Sequence, residues 1–327
     1  MRGRMAAVMS LVVVGSVAFD SVQTPFGERD RILGGSAIHF ALAASFFAGV
    51  RVVGVVGDDF GEEHVAVLHR RGIDTEDLER VGGSTFFWRG RYDFDLNTAQ
   101  TLDTQLNVFA DFQPKLSPAS RAASVVFLGN IQPGLQSAVR AECSAASLVG
   151  LDSMNLWIDT QRGALLEAIG TVDAVLLNDA EVRALTREPN TVRAARKLRS
   201  LGPRFVVVKR GEYGAALFGE EGFFGMPGYP LETVVDPTGA GDSFAGGFFG
   251  YLEGHGNGDL SEPALRRAMA FGSVMASFNV EGFGTERVQS LTEGEIRDRF
   301  EDFKRMMSVE ALELTSALRS GWESREA

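Results

Sequence analysis

Apolar residues along this chain gather in short runs separated by longer amphipathic stretches. The runs at 11–15, 50–57, 124–129, 173–178 and 204–209 are rich in Val and Leu, as expected for strands buried on both faces. Between them, 37–48, 62–71, 180–185 and 191–201 combine helix-forming residues with apolar positions at helical spacing. This alternation predicts βαβ units and a mainly parallel sheet with helices on both faces.

One region breaks the rhythm. Residues 84–108 are rich in Thr, Phe and Tyr, with alternating polar positions and Gly82, Gly83, Gly90 and Asn97 as punctuation. They predict a small antiparallel sheet. Together with about 19–33, where Pro25-Phe26-Gly27 marks a turn, residues 84–109 form a lid inserted in a single domain spanning 1–327. No tandem repeat or long linker divides the chain. Its end, 291–327, reads as a charged surface helix with a frayed tail, with Phe300, Phe303 and Met307 on one face.

Composition narrows the function. Hydrophobic residues make up 45% and charged residues 23%, values typical of soluble globular proteins. The net charge of -11 argues against a nucleic-acid partner, which would need clustered Lys and Arg. The single cysteine, Cys143, allows no intrachain disulfide and fits a reducing, cytoplasmic setting. Met1-Arg2-Gly3-Arg4 and the apolar stretch to Phe19 have the outline of a signal peptide, but 6–15 reads instead as a buried first strand ending at a glycine turn. No other apolar run reaches the roughly 18 residues that cross a bilayer, so no membrane partner is expected.

The chemistry concentrates at Asp236-Pro237-Thr238-Gly239-Ala240-Gly241-Asp242, at the mouth of an apolar run that reads as a helix. Small residues let the amides of Gly239, Ala240 and Gly241 turn inward at a helix N-terminus, where negative charge is favoured. Asp242 is then either a base beside a reacting hydroxyl or a first-turn acid complementing the helix dipole. No phosphate loop of the Gly-x-x-x-x-Gly-Lys type and no protein-kinase loop is present. Nor does the first strand lead into a dinucleotide-binding turn.

This segment resembles the C-terminal signature of the ribokinase-like, phosphofructokinase-B (PfkB) carbohydrate kinase family. Gly34-Gly35-Ser36-Ala37 and Val53-Gly54-Val55-Val56-Gly57-Asp58-Asp59-Phe60-Gly61 are similar to its N-terminal signature, as is Gly72-Ile73-Asp74-Thr75. Asn178-Asp179-Ala180-Glu181 resembles its Asn-x-x-Glu motif, and Lys209-Arg210-Gly211-Glu212-Tyr213-Gly214 lies in its Lys-x-Gly-x-x-Gly segment. Order and spacing agree from about Val12 to about Gly284, which is far more specific than any single motif.

The resemblance implies a ribokinase-like three-layer α/β/α sandwich with a small β lid, and a kinase that transfers the γ-phosphoryl group of ATP to an alcohol hydroxyl of a sugar-like substrate. Asp242 would be the general base and Gly239, Ala240 and Gly241 the anion hole. Asn178 and Glu181 would organise Mg²⁺, Glu181 through water; alternatively Glu181 is a first-turn acid. Lys209, Gly211, Thr238 and Asn279 would lie on the nucleotide side, although Lys209 also reads as a solvated strand end and Asn279 as a helix cap. Asp20, Gly34 and Gly35 would hold the acceptor. The family commonly places Asn where this chain has His39, which either bonds a substrate hydroxyl or is a helix-face residue with no ligand.

A monovalent cation is a further expectation from the family. In the lid, Phe86, Phe87, Trp88, Arg89, Arg91, Tyr92, Asn97, Gln105 and Asn107 alternate, so half of them can face the pocket. An inward aromatic would stack on a sugar or a nucleobase, and lid-to-lid packing in a homodimer is the competing reading. A nucleoside kinase of the same family, or a catalytically silent sugar- or nucleotide-binding regulator, are the alternatives.

Overall fold

The computed structural model describes residues 11–256 and 258–308. Its strands, in chain order, are β1 (Leu11–Val14), β2 (Ala18–Thr24), β3 (Gly27–Gly34), β4 (Val50–Val56), β5 (Leu78–Arg80), β6 (Phe86–Tyr92), β7 (Ala99–Gln105), β8 (Val125–Leu128), β9 (Leu148–Leu151), β10 (Ala174–Asn178), β11 (Phe205–Lys209), β12 (Ala215–Gly219) and β13 (Gly222–Met226). Nine of them form one sheet in the order β13-β12-β11-β10-β9-β8-β1-β4-β5. Every pairing from β11 to β5 is parallel, whereas β12 and β13 add an antiparallel edge.

Period-two alternation divides each central strand between two apolar layers. Leu11 and Val13 of β1 pack with Phe40, Phe127, Phe248 and Phe249, while Val12 and Val14 join Val139, Leu165, Val182 and Leu198 on the other face. The helices Ser36–Ala44, Ala240–Gly256 and Glu262–Asn279 cover the first face. Pro133–Glu142, Arg162–Ile169, Asp179–Thr186 and Thr191–Arg199 cover the second. The result is the three-layer α/β/α arrangement that the resemblance implies.

The helix Ala240–Gly256 is laid directly on Ser36–Ala44 and the turn after it. Gly246, Gly250 and Gly254 recur every four residues and so share a face; added methyl groups would stand 2.3 Å from Phe40 O, 2.9 Å from Ala44 Cα and 2.0 Å from Phe47 O. Backbone therefore meets backbone, and the N-termini of the two helices are brought together at the carboxyl side of the sheet.

The second sheet, in the order β3-β2-β6-β7, stands apart from the first. It departs from the antiparallel sheet that the sequence pattern predicts. β2–β3 and β6–β7 are antiparallel hairpins, but β2 and β6 run parallel. The reason is connectivity: between β2 and β6 the chain returns through the main sheet, a crossover long enough to restart in the same direction. Residues 107–109, the expected end of the lid, belong instead to a short 3₁₀ helix, Asn107–Asp111.

Of the terminal segments, the expected first strand begins within residues outside those described, and its part from Leu11 is fully buried beside β4 and β8. At the other end Glu293–Met306 is a helix whose Phe303 is fully buried, with Phe300 and Met307 partly buried against the same cluster. The frayed tail lies outside the described residues. Among the described residues, no helix is long and apolar enough to cross a membrane.

Candidate active site

Three adjacent parallel strands end side by side. β10 finishes at Asn178, in register with Lys209 at the end of β11, and Asp152 directly follows β9. Lys209 Nζ donates to Asp152 Oδ2 at 2.6 Å, with both side chains largely enclosed. Burial opposes the charge on Lys209, but Asp152 and then Glu181 outweigh it and hold the ammonium above its ordinary range.

Asn178 and Glu181 close a capping box on Asp179–Thr186: Glu181 N–H donates to Asn178 Oδ1 and Asn178 N–H donates to Glu181 Oε2, both at 2.8 Å. Glu181 is thus a helix-start acid whose charge interacts with Asp152 and Lys209. Burial, followed by repulsion from Asp152, pushes its carboxyl up to about 7 against the pull of Lys209.

Across from these strand ends, Ala240–Gly256 begins with Asp242 in its first turn. Gly239 has φ 75°, in the left-handed region where glycine carries no Cβ penalty. A methyl group on Gly241 would stand 2.9 Å from Lys209 Nζ, so the ammonium lies against the loop backbone. Burial and then repulsion from Asp152 lift the Asp242 carboxyl to about 7, with Lys209 opposing. A cation, the start of a helix and a carboxylate poised near neutrality therefore meet at one point.

The loop is fastened from behind. Asp236 is fully buried and accepts from Thr238 N–H at 2.9 Å and Gly284 N–H at 2.8 Å. Asn279 Nδ2 donates to Thr238 O at 2.7 Å, while its Oδ1 meets Ser243 Oγ at 2.9 Å and His39 Nδ1 at 3.0 Å. Because Thr238 O can only accept, the amide orientation is fixed, and His39 Nδ1 must carry the proton. Burial lowers the His39 pKa to about 4, so the ring is neutral and its buried Nε2 is an acceptor with no protein partner.

These contacts bear on two residues singled out in the sequence. Asn279 is fully enclosed and its side chain bonds three protein groups, through which it fastens the loop. It is the last residue of Glu262–Asn279, and the cap position falls to Val280. His39 is 2% exposed and supports Gly239 from below: a Cβ there would stand 2.2 Å from His39 Nδ1.

On the acceptor side, Asp20 of β2 is buried against Gly34 and Gly35. A methyl group on Gly34 would fall 1.9 Å from Asp20 Oδ2, and the Gly35 amide donates to the carboxylate. Burial, with repulsion from Asp236 and Asp242, raises its carboxyl to about 7. Trp88 is the register partner of Asp20 on the neighbouring strand, so both side chains lie on one face of the lid. The indole folds over Gly90 and donates to Thr101 Oγ1 at 3.2 Å, whereas Phe86 is stacked on Phe109. Tyr92, at the end of the same strand, shares a 3.3 Å hydrogen bond with Thr238 Oγ1.

One group escaped the sequence reading: Asp152 follows an apolar tetrapeptide interrupted by Gly150, which did not announce a strand, whereas Tyr92 stood among several lid residues able to face the pocket. Gly211 is set apart from the charged cluster; it has φ 54° and lies under the lid loop, where a methyl group would stand 3.1 Å from Asn97 Oδ1. Oxygen donors of the kind Mg²⁺ prefers surround Lys209, yet among the described residues no group of three or more His, Cys, Asp or Glu could hold a metal ion. The donor set fits a magnesium held by one or two carboxylates, water and substrate phosphates.

The chain is similar to known proteins. A family model described as pfkB family carbohydrate kinase matches residues 10–290. A cytidine kinase of Thermococcus kodakarensis is 29% identical over 273 residues, covering 79% of this chain and 93% of its own. A fructokinase of Klebsiella pneumoniae is 26% identical over 263 residues, covering 75% and 84%. Among solved structures, the nucleoside kinase of Burkholderia thailandensis in complex with inosine superposes with a TM-score of 0.73 at 22% identity, covering 89% of this chain and 97% of that one.

Proposed function

From the premise that the chain belongs to the pfkB family of carbohydrate kinases, we propose that it transfers the γ-phosphoryl group of ATP to an alcohol hydroxyl of a nucleoside, with Asp242 as general base. The observation that carries the phosphoryl-transfer reading is the meeting of Asp242, Lys209 and the Gly239–Gly241 loop at a helix N-terminus.

Asp242 takes the proton of the attacking hydroxyl, and a carboxylate whose pKa stands near 7 is matched to that task at neutral pH. The amides of Gly239 and Gly241, with Lys209 alongside, stabilise charge that grows on the transferred group, and the Ala240 N–H, which donates to Pro237 O at 3.2 Å, joins them on exchanging that bond. Asp20 accepts hydrogen bonds from acceptor hydroxyls, with Gly34 and Gly35 admitting the substrate close to backbone. Glu181, acting through water, would help hold Mg²⁺, which when bound would supply charge neutralisation to the phosphates. Thr238 and Gly211 border the nucleotide side.

A nucleoside is preferred to a free sugar because Trp88 offers an indole on the face that carries Asp20, a platform for a base attached to the sugar that Asp20 grips. The cytidine kinase relative supports the same choice. A coupled assay of ATP consumption across nucleosides, pentoses, hexoses and inositols tests both levels. Nucleosides should give the highest kcat/KM. A preference for hexoses would retain the kinase and reject the nucleoside, while phosphorylation of no acceptor by a folded, ATP-binding sample would favour a silent binding protein.

A further inference from the structure

The β6–β7 hairpin of the lid touches the phosphoryl-transfer region at two separate places. At the end of β6, Tyr92 OH meets Thr238 Oγ1 at 3.3 Å. Beyond it, Asn97 Oδ1 lies against Gly211 at the start of the turn that follows β11. One hairpin therefore spans from Thr238 to the far rim of the site, whereas Trp88, four residues earlier, stands beside Asp20 on the acceptor side.

Thr238 is held in an unusual way. Its N–H is taken by Asp236 and its C=O by Asn279, both from behind the loop. Its hydroxyl is the group that reaches forward, and the lid is what it reaches. Tyr92 thus ties the lid to the loop one residue before Gly239.

We propose that Tyr92 is a positioning residue for phosphoryl transfer: its hydroxyl, bound to Thr238, couples closure of the lid hairpin to the arrangement of the Gly239–Gly241 loop. This rests on the kinase reading above. The consequence is that the loop is held for transfer when the lid is down over an acceptor, and is released when the lid lifts. Water then gains less access to a fully assembled site, since assembly and closure occur together.

The test compares Tyr92→Phe, Thr238→Val, Thr238→Ser and the Tyr92→Phe/Thr238→Val pair. Turnover is measured with the best acceptor from the panel, hydrolysis with MgATP alone, and backbone amide exchange at 92–98 and 237–241 without ligand. Loss of one such hydrogen bond should lower kcat about fivefold. In Tyr92→Phe, acceptor KM should change less than twofold, the share of ATP lost to water should rise, and exchange should accelerate at both segments. Thr238→Val should behave alike, the double variant should be no worse, and Thr238→Ser, which keeps the hydroxyl, should lose less than Thr238→Val on every readout. Unchanged kcat and water share in Tyr92→Phe, losses that multiply in the double variant, or exchange altered at 92–98 alone would overturn the coupling. If the unaltered protein phosphorylates nothing, the kinase reading falls, and the exchange data still decide whether Tyr92 holds the loop.

Discussion

Replacing Gly239 by alanine probes the loop where its geometry is most constrained. The residue has φ 75°, so alanine must enter the left-handed region at about 1–2 kcal/mol. The new methyl would lie 2.2 Å from His39 Nδ1 and 2.4 Å from its Cε1. That ring has little freedom to yield: it is 2% exposed and its Nδ1–H is bound to Asn279. Overpacking of this kind adds about 1–3 kcal/mol, for a total of about 2–5 kcal/mol. Chemical denaturation should show that loss, and kcat should fall because the Ala240 and Gly241 amides are displaced. In Gly239→Ala/His39→Ala the methyl clash is relieved, so part of the loss should return relative to His39→Ala alone, leaving the backbone strain. A Gly239→Ala protein of unaltered stability and turnover would refute the reasoning.

Two further outcomes follow from the charges. Asp20, Asp242 and Glu181 all have carboxyl pKa values raised to about 7, chiefly by burial. Groups raised in the folded state stabilise it below their unfolded values, and that contribution is lost as pH rises through about 7. The ligand-free melting temperature should therefore fall between pH 5 and pH 8, while kcat/KM should rise over the same interval as Asp242 ionises. A melting temperature that climbed in parallel with activity would contradict this. Lys209→Met leaves Asp152 buried without its 2.6 Å partner; breaking such a pair costs about 3 kcal/mol. Denaturation should show a loss of this order and ATP titration a weakened affinity, and Asp152→Asn in the same chain should restore much of the stability. Failure of that second change to restore it would remove the ion pair from the account.

Much of the fold was legible because β1, β4, β8, β10 and β11 are apolar runs buried on both faces, which need no partner to be recognised. β9 was not: Leu148-Val149-Gly150-Leu151 is interrupted by a glycine whose reason is tertiary, since a methyl there would stand 2.1 Å from the Phe249 ring. Missing β9 meant missing Asp152, whose place beside Lys209 depends on the order β9-β10-β11 and on nothing local.

The loop from Asp236 to Asp242 could be read directly, because turn glycines, a first-turn acid and a following apolar run are all local signals. Its support could not. Asn279 and His39 are 240 residues apart in sequence, and only the packing of Glu262–Asn279 and Ser36–Ala44 around Ala240–Gly256 turns both side chains toward the back of the loop. The lid's parallel β2–β6 pairing was likewise hidden, being a property of the crossover between the hairpins rather than of either hairpin's pattern.

The central claim is that Asp242 is the base in a phosphoryl transfer, and Asp242→Asn with the best acceptor from the panel tests it most directly. Steady-state turnover should fall by about 10²–10⁴-fold, while calorimetric ATP binding remains within a few fold of the unaltered protein because the loop amides and Lys209 are untouched. Turnover within tenfold of the unaltered protein would contradict the assignment.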